Sequence, residues 1–312
     1  MVKSRPSIPA TTKKRQFALD GLTILCLYLL ICPLWAMPVY EKLVLFPDKR
    51  ICKEYADFEF DQIRRDYGIK VKPVSFQSSN GTTLNGWYFD RHQSSKVLLV
   101  SHGNAGNISH RLVLARAILD CQTSVFLYDY EGYGMSEGTP SIKNICQDGL
   151  AAYDYLISTE HKKPEDIIVY GESIGTGVTT QIANSRIVGG LILQSGFPSL
   201  LYAAHDRLWF TWLYPDNWYQ DLDNAAVVKK KHPKLLIIHG RDDSIFPLHY
   251  AKVLYSKAAE PKQLAVLDDM GHIVDEKDRA QFARIVTQFI SETSRVPDLS
   301  QSGKPAQRST EL

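Results

Sequence analysis

The side chains best suited to chemistry in this chain are Ser173, His272 and the acidic pair Asp242 and Asp243. A serine hydroxyl is a weak nucleophile at neutral pH. A histidine must take its proton, and a carboxylate must orient that histidine. Ser173 stands in Gly171-Glu172-Ser173-Ile174-Gly175. The preceding Ile167-Ile168-Val169-Tyr170 reads as a buried strand, and Ile174, Val178 and Ile182 form one stripe of a helix. A glycine-flanked serine at a strand-to-helix turn is a nucleophile elbow, which exposes its oxygen at the top of a sheet. A second apolar run, Leu235-Leu236-Ile237-Ile238, leads into His239-Gly240-Arg241-Asp242-Asp243. A third, Gln263-Leu264-Ala265-Val266-Leu267, leads into Asp268-Asp269-Met270-Gly271-His272. Nucleophile, acid and base thus occur in the order an elbow site requires, each beyond the carboxyl end of a strand, where open parallel sheets hold ligands. Taken singly, His272 also reads as a loop residue capping the next helix, and both aspartates as turn residues. Spacing does not choose between Asp242 and Asp243.

Acyl transfer also needs donors for a developing oxyanion. The N–H of Ile174, which follows the nucleophile at a helix start, supplies one. The loop after Lys96-Val97-Leu98-Leu99-Val100 supplies the other: within Ser101-His102-Gly103-Asn104-Ala105-Gly106-Asn107, the expected donor is the N–H of Asn104. Asn107 reads as the cap of a helix whose stripe is Ile108, Leu112, Ala115 and Leu119. His102 is an alternative base, but it precedes the loop and has no acid assigned to it.

From about Leu43 to Ile290 the chain resembles the α/β-hydrolases. The resemblance rests on His102 to Asn107, on Asp129-Tyr130-Glu131-Gly132-Tyr133-Gly134-Met135-Ser136-Glu137-Gly138, on the elbow, on His239-Gly240 with Asp243, and on Gly271-His272. Within that superfamily it is similar to membrane-anchored α/β-hydrolase-domain serine hydrolases, some of which resemble protein depalmitoylases and others lipid esterases. The resemblance implies Ser173 as nucleophile, Asp243 as the acid in preference to Asp242, His272 as base, and Asn104 and Ile174 as the oxyanion hole. Glu172 departs from the pattern. It either disfavours anionic acyl groups or occupies a neutral surface position.

These residues need a scaffold. Strands are expected at 96–101, 124–128, 167–171, 190–194, 234–239 and 263–267, alternating with helices, as in a mostly parallel sheet covered on both faces. Segments around Val71–Phe76 and Leu84–Phe89, joined through Asn80-Gly81, read as an antiparallel hairpin. One α/β domain over residues 41–293 is expected, with a cap at about 197–231. Trp209, Phe210 and Trp212 crowd that cap and either line an acyl pocket or pack it onto the core. The net charge of +2 does not suggest a nucleic-acid partner. No His/Cys cluster has metal-ligand spacing, a triad needs no cofactor, and the five cysteines form no regular framework.

Residues 21–40 carry no charge and read as a membrane anchor behind a basic tail, residues 1–20, that includes Lys13-Lys14-Arg15. Trp35 and Tyr40 suit an interface, whereas Pro33 and Pro38 weaken the second half. A cleaved signal peptide is the competing reading. The slight excess of basic residues before the segment leans toward a catalytic domain outside the cytoplasm. The Ser-, Gln- and Pro-rich residues 294–312 read as a disordered tail. The expected activity is hydrolysis of a carboxylic ester or thioester in or near a bilayer. The rivals are a serine peptidase of the prolyl-oligopeptidase type, which usually carries a large extra domain, and a non-catalytic scaffold, which usually loses a triad member.

Overall fold

The computed structural model describes residues 10–30, 32, 41–42 and 44–293, with side chains from Phe17 onward. The basic residues ahead of position 10, the second half of the expected anchor at 33–40 and the tail 294–312 lie outside the described residues.

Helix α1 (Ala10–Leu30) is followed by a short strand β1 (Phe46–Pro47) and helix α2 (Lys53–Tyr67). Strands β2 (Lys72–Gln77) and β3 (Thr83–Phe89) form the expected antiparallel hairpin, and Gly81 takes a φ of 84° in its turn. The chain then alternates: β4 (Val97–Ser101), a short β5 (Ala105–Gly106) paired with β1, α3 (Leu112–Leu119), β6 (Ser124–Tyr128), α4 (Ile142–Ser158), β7 (Ile167–Glu172) and α5 (Gly175–Ser185). It continues through β8 (Gly190–Gln194), α6 (Leu200–Arg207), α7 (Asn224–Val228), β9 (Leu235–Gly240), α8 (Leu248–Lys257), β10 (Lys262–Leu267) and α9 (Arg279–Thr293).

The eight-stranded sheet runs β10-β9-β8-β7-β4-β6-β3-β2, parallel from β10 to β6. Strands β4, β6, β7, β8 and β9 are buried along their whole length, which is why their sequences are continuous apolar runs rather than alternating ones. One face packs against α4 and α5 through Ile145, Val178 and Ile182. The other packs against α3 and α9 through Leu112, Ile118, Phe282 and Phe289. Burying each such side chain contributes about 1.5–3 kcal/mol. The chain leaves β4 first toward β6 and later toward β7, so a crevice opens beyond the carboxyl ends of β4 and β7.

Two expectations are refined. The helix anticipated from Ile108 opens with a 3-10 turn, Ile108–Arg111, before α3 begins at Leu112. Asn107 does cap it: its side chain accepts from the Ser109 N–H, while the His110 ring accepts the N–H of Asn107.

The expected anchor is not supported as a transmembrane helix. The helix described there, Ala10–Leu30, overlaps the expected anchor over residues 21–30. Any span-length stretch within it carries Lys13, Lys14, Arg15 and Asp20, each costly at a bilayer centre. Among the described residues no helix is long and apolar enough to cross a membrane.

Candidate active site

The elbow at Ser173 is held by sterics. Ser173 has φ 55°, a left-handed conformation uncommon for a residue with a side chain, and is 5% exposed. Gly171 and Gly175 make the turn possible. A Cβ on Gly171 would lie 2.5 Å from the Gly175 carbonyl oxygen, and one on Gly175 would lie 2.0 Å from that of Ser101. The second contact shows how tightly the start of α5 is pressed against the end of β4. Asn224, from the cap, secures the same helix by donating to Thr176 Oγ1 and Phe197 O and accepting from Thr180 Oγ1.

Asp243 is buried, and its Oδ1 accepts from the N–H groups of Ile245 (2.9 Å) and Phe246 (2.8 Å). Its Oδ2 lies 2.8 Å from His272 Nδ1. Asp242 is exposed and has no such contact, so the structure separates two acids that spacing could not. Burial pushes the Asp243 carboxyl up, but the hydrogen bond and charge of His272 and the Phe246 N–H outweigh it, leaving the carboxyl below its ordinary value. A second imidazole, His239, donates from Nε2 to Phe246 O at 2.8 Å and stands 3.5 Å from Asp243 Oδ2. Burial pushes its pKa down, which favours a neutral ring. Gly240 lets the histidine loop approach, since a Cβ there would lie 2.1 Å from Met270 O and 2.2 Å from Gly271 O.

Ser173 Oγ and His272 Nε2 do not share a hydrogen bond among the described residues. Gln194 links the two segments instead. Its carbonyl accepts from the Ser173 N–H at 3.0 Å, and its side-chain Nε2 donates to His272 O at 2.7 Å. The Tyr170 hydroxyl donates to Gln194 Oε1.

The loop after β4 lies against Ser173: a Cβ on Gly103 would fall 3.5 Å from Ser173 Cβ. Its carbonyls are all engaged from behind. Tyr130 donates to His102 O, His102 Nδ1 meets Gly103 O, Tyr133 and the Phe46 N–H donate to Asn104 O, and Arg111 donates to Ala105 O. Neither the Asn104 nor the Ile174 N–H has a protein acceptor among the described residues, so both donors remain available. The Asn104 side chain donates to Val44 O.

Glu172 is neither a surface residue nor a free negative charge. It is 2% exposed and pairs with Arg111, whose Nε and Nη2 both lie 2.9 Å from Oε1. The same oxygen accepts from the Gly103 N–H at 3.3 Å. One ion pair thus joins the residue before Ser173 to the loop that carries Asn104. His102 is not set up as a base. Its ring is fully buried and pushed down to about 3, by burial first and by Arg111 next, so it stays neutral. Asp129, with Oδ1 3.6 Å from His102 Nε2, is pushed up to about 7 by burial.

A cavity of about 390 Å³ opens between this rim and the cap. Asn104, Leu200, Leu208, Phe210 and Phe246 line it, and the Phe246 ring lies 5.5 Å from that of His272. Of the three cap aromatics singled out in the sequence, Phe210 alone lines the cavity. Trp209 and Trp212 point outward, 76% and 68% exposed, with Trp212 stacked on His205 at 3.9 Å. A 3-10 turn over Trp209–Leu213 sets this inside-outside division, which composition could not show. A larger recess of about 730 Å³ beside β2 and α4 is lined by none of Ser173, Asp243, His272, Asn104 and Ile174.

Sequence reasoning missed Arg111, Gln194 and the supporting role of Tyr130 and Tyr133. The available signal was a charged or amide side chain at the edge of an apolar run, Arg111 just before Leu112 and Gln194 at the end of β8. That marks a buried polar group without naming its partner.

Comparison with known proteins agrees with this architecture. The Prolyl oligopeptidase family model matches residues 142–296. An uncharacterized protein of Mycobacterium tuberculosis is 33% identical over 230 residues, 72% of this chain and 80% of its own length. Alpha/beta hydrolase domain-containing protein 17C of Xenopus laevis is 30% identical over 242 residues, 76% of this chain and 74% of its own. Among solved structures, an esterase from Pyrococcus furiosus superposes with a TM-score of 0.64 at 16% identity, covering 80% of this chain and 98% of that one. An α/β hydrolase from Vibrio vulnificus gives 0.64 at 17% identity over 77% and 87%. The chain belongs to the α/β-hydrolase superfamily, and its fold is that of a hydrolase with esterase neighbours.

Proposed function

We propose that this protein is a membrane-attached serine hydrolase that cleaves carboxylic esters or thioesters of apolar acyl groups through Ser173, His272 and Asp243. The observation that carries the reading is the 2.8 Å contact of His272 Nδ1 with a buried Asp243, on the rim where the elbow presents Ser173. With the Nδ1 proton spent on Asp243, His272 Nε2 is the basic nitrogen. It takes the Ser173 proton as Oγ attacks the carbonyl, and then gives it to the leaving alcohol or thiol. The N–H groups of Asn104 and Ile174 receive the oxyanion, each worth roughly a hundred- to a thousandfold in rate. Water, activated by the same histidine, releases the acid from the acyl-enzyme. The apolar cavity beside Asn104 and Phe246 supports an acyl group as the recognised part of the substrate. The exposed apolar side chains of α1 support attachment to a membrane.

Fluorophosphonate labelling of the wild type and of Ser173→Ala tests this reading. Labelling confined to the wild type is expected, together with ester hydrolysis that the variant loses. A folded wild type that neither labels nor hydrolyses short aryl esters refutes it and favours a silent scaffold. The match to the prolyl oligopeptidase family favours a second reading, amide cleavage. Assaying matched amide and ester substrates side by side separates the two.

A further inference from the structure

From Gly21 to Leu30, helix α1 presents apolar side chains on all sides. From Phe17 to Leu30 every side chain except that of Tyr28 is exposed, including Leu22, Ile24, Leu25, Leu27 and Leu29. A protein groove covers one stripe of a helix, whereas a helix apolar all round requires an apolar phase around it. Tyr28 ties this helix to the cap: its ring lies 4.6 Å from that of Tyr214, whose hydroxyl donates to Tyr28 O. Beside that junction the segment 208–213 exposes Leu208, Trp209, Trp212 and Leu213. Leu208 also lines the acyl cavity, and so do Glu41 and Val44, from the stretch that connects α1 to the domain. Helix, exposed tryptophans and cavity wall therefore meet at one side of the molecule.

Resting on the proposed function above, we infer that this face seats in one leaflet of a lipid bilayer, so that the cavity admits its acyl group from the membrane rather than from water. The chemistry suits that occupant. Tryptophan rings collect at the boundary between headgroups and hydrocarbon. In the sequence, Lys13, Lys14 and Arg15 precede the apolar part of α1, a charge that suits anionic headgroups. The tryptophans then do not hold the protein on the membrane, which α1 does; they orient the cavity mouth against it.

The full chain, wild type and Trp209→Ser/Trp212→Ser, is assayed on a soluble short-chain aryl ester and on a long-chain ester dissolved in phosphatidylcholine vesicles with and without phosphatidylglycerol. Tryptophan quenching by brominated acyl chains is read in parallel. The expected result is a loss of about tenfold on the vesicle-borne ester, the scale of one large side chain leaving an apolar phase. Hydrolysis of the soluble ester should stay within about twofold, as expected of surface positions away from the chemistry. Quenching in the wild type should fall in the variant. Trp209→Ser alone should give part of both effects. Equal losses on both substrates would mean a packing role and overturn the inference. So would wild-type vesicle activity in the double variant, or tryptophans shielded by self-association without lipid. If wild type cleaves neither ester, the catalytic reading fails, and the quenching experiment still decides the membrane face.

Discussion

The rim of strand ends and the cap above it follow opposite rules. At the rim two buried carboxylates are each paired: Asp243 takes two backbone N–H groups and His272, and Glu172 takes Arg111 and Gly103. In the cap, large aromatics face solvent, α6 buries no residue completely, and short 3-10 turns replace helix. A site that stabilises charge as it develops needs donors that do not reorganise. Under the proposed function, a surface that receives varied acyl groups needs no such rigidity. Substitutions at the rim should therefore alter rate and stability, and those at the exposed aromatics of the cap only the choice of substrate.

The largest effect tests the rim directly. Asp243→Asn should keep the fold and lower kcat by about 10⁴, because the amide stabilises the wrong imidazole tautomer. A loss below about tenfold would remove Asp243 from the site.

The ion pair between Arg111 and Glu172 separates aiming from holding. Either single neutralisation leaves a buried charge and should cost about 3–5 kcal/mol in denaturant unfolding. The double replacement Arg111→Met/Glu172→Leu should recover most of that stability while kcat stays about a hundredfold low and KM unchanged, the pattern of a lost transition-state interaction. Full recovery of kcat with stability would make the pair structural only.

Asp129 offers a smaller, pH-dependent test. Its carboxyl is pushed up to about 7 from 3.8 by burial. The folded state therefore favours the protonated form, and that contribution to stability, complete below 3.8, is lost as pH rises through about 7. Asp129→Asn still accepts from the Ile108 N–H and cannot ionise. The Tm gain of the variant over wild type should widen over that interval, and a constant gap would show that the carboxyl does not titrate there.

The smallest effect belongs to the cap. Trp209→Ser, at a site 76% exposed, should change unfolding free energy by less than about 0.5 kcal/mol. A larger change would end the contrast between a rigid rim and a tolerant cap.

Much of this was legible along the chain. Continuous apolar runs marked β4, β6, β7, β8 and β9, since parallel strands covered on both faces leave no room for alternation. The glycines around Ser173 announced the turn because no Cβ fits at Gly171 or Gly175. These are local constraints, and local sequence expresses them. Spacing and composition left three matters open, the first of them answered only by resemblance, and the tertiary structure arranges all three. Asp243 rather than Asp242 faces His272, because β10 brings its loop over Gly240. Glu172 is neutralised by Arg111, 61 residues away, because α3 packs under the loop that follows β4. Phe210 turns inward while Trp209 and Trp212 turn outward, because a 3-10 turn breaks the period that composition would have to follow. Periodicity records which face is buried, whereas the partner of a buried charge depends on how distant segments dock.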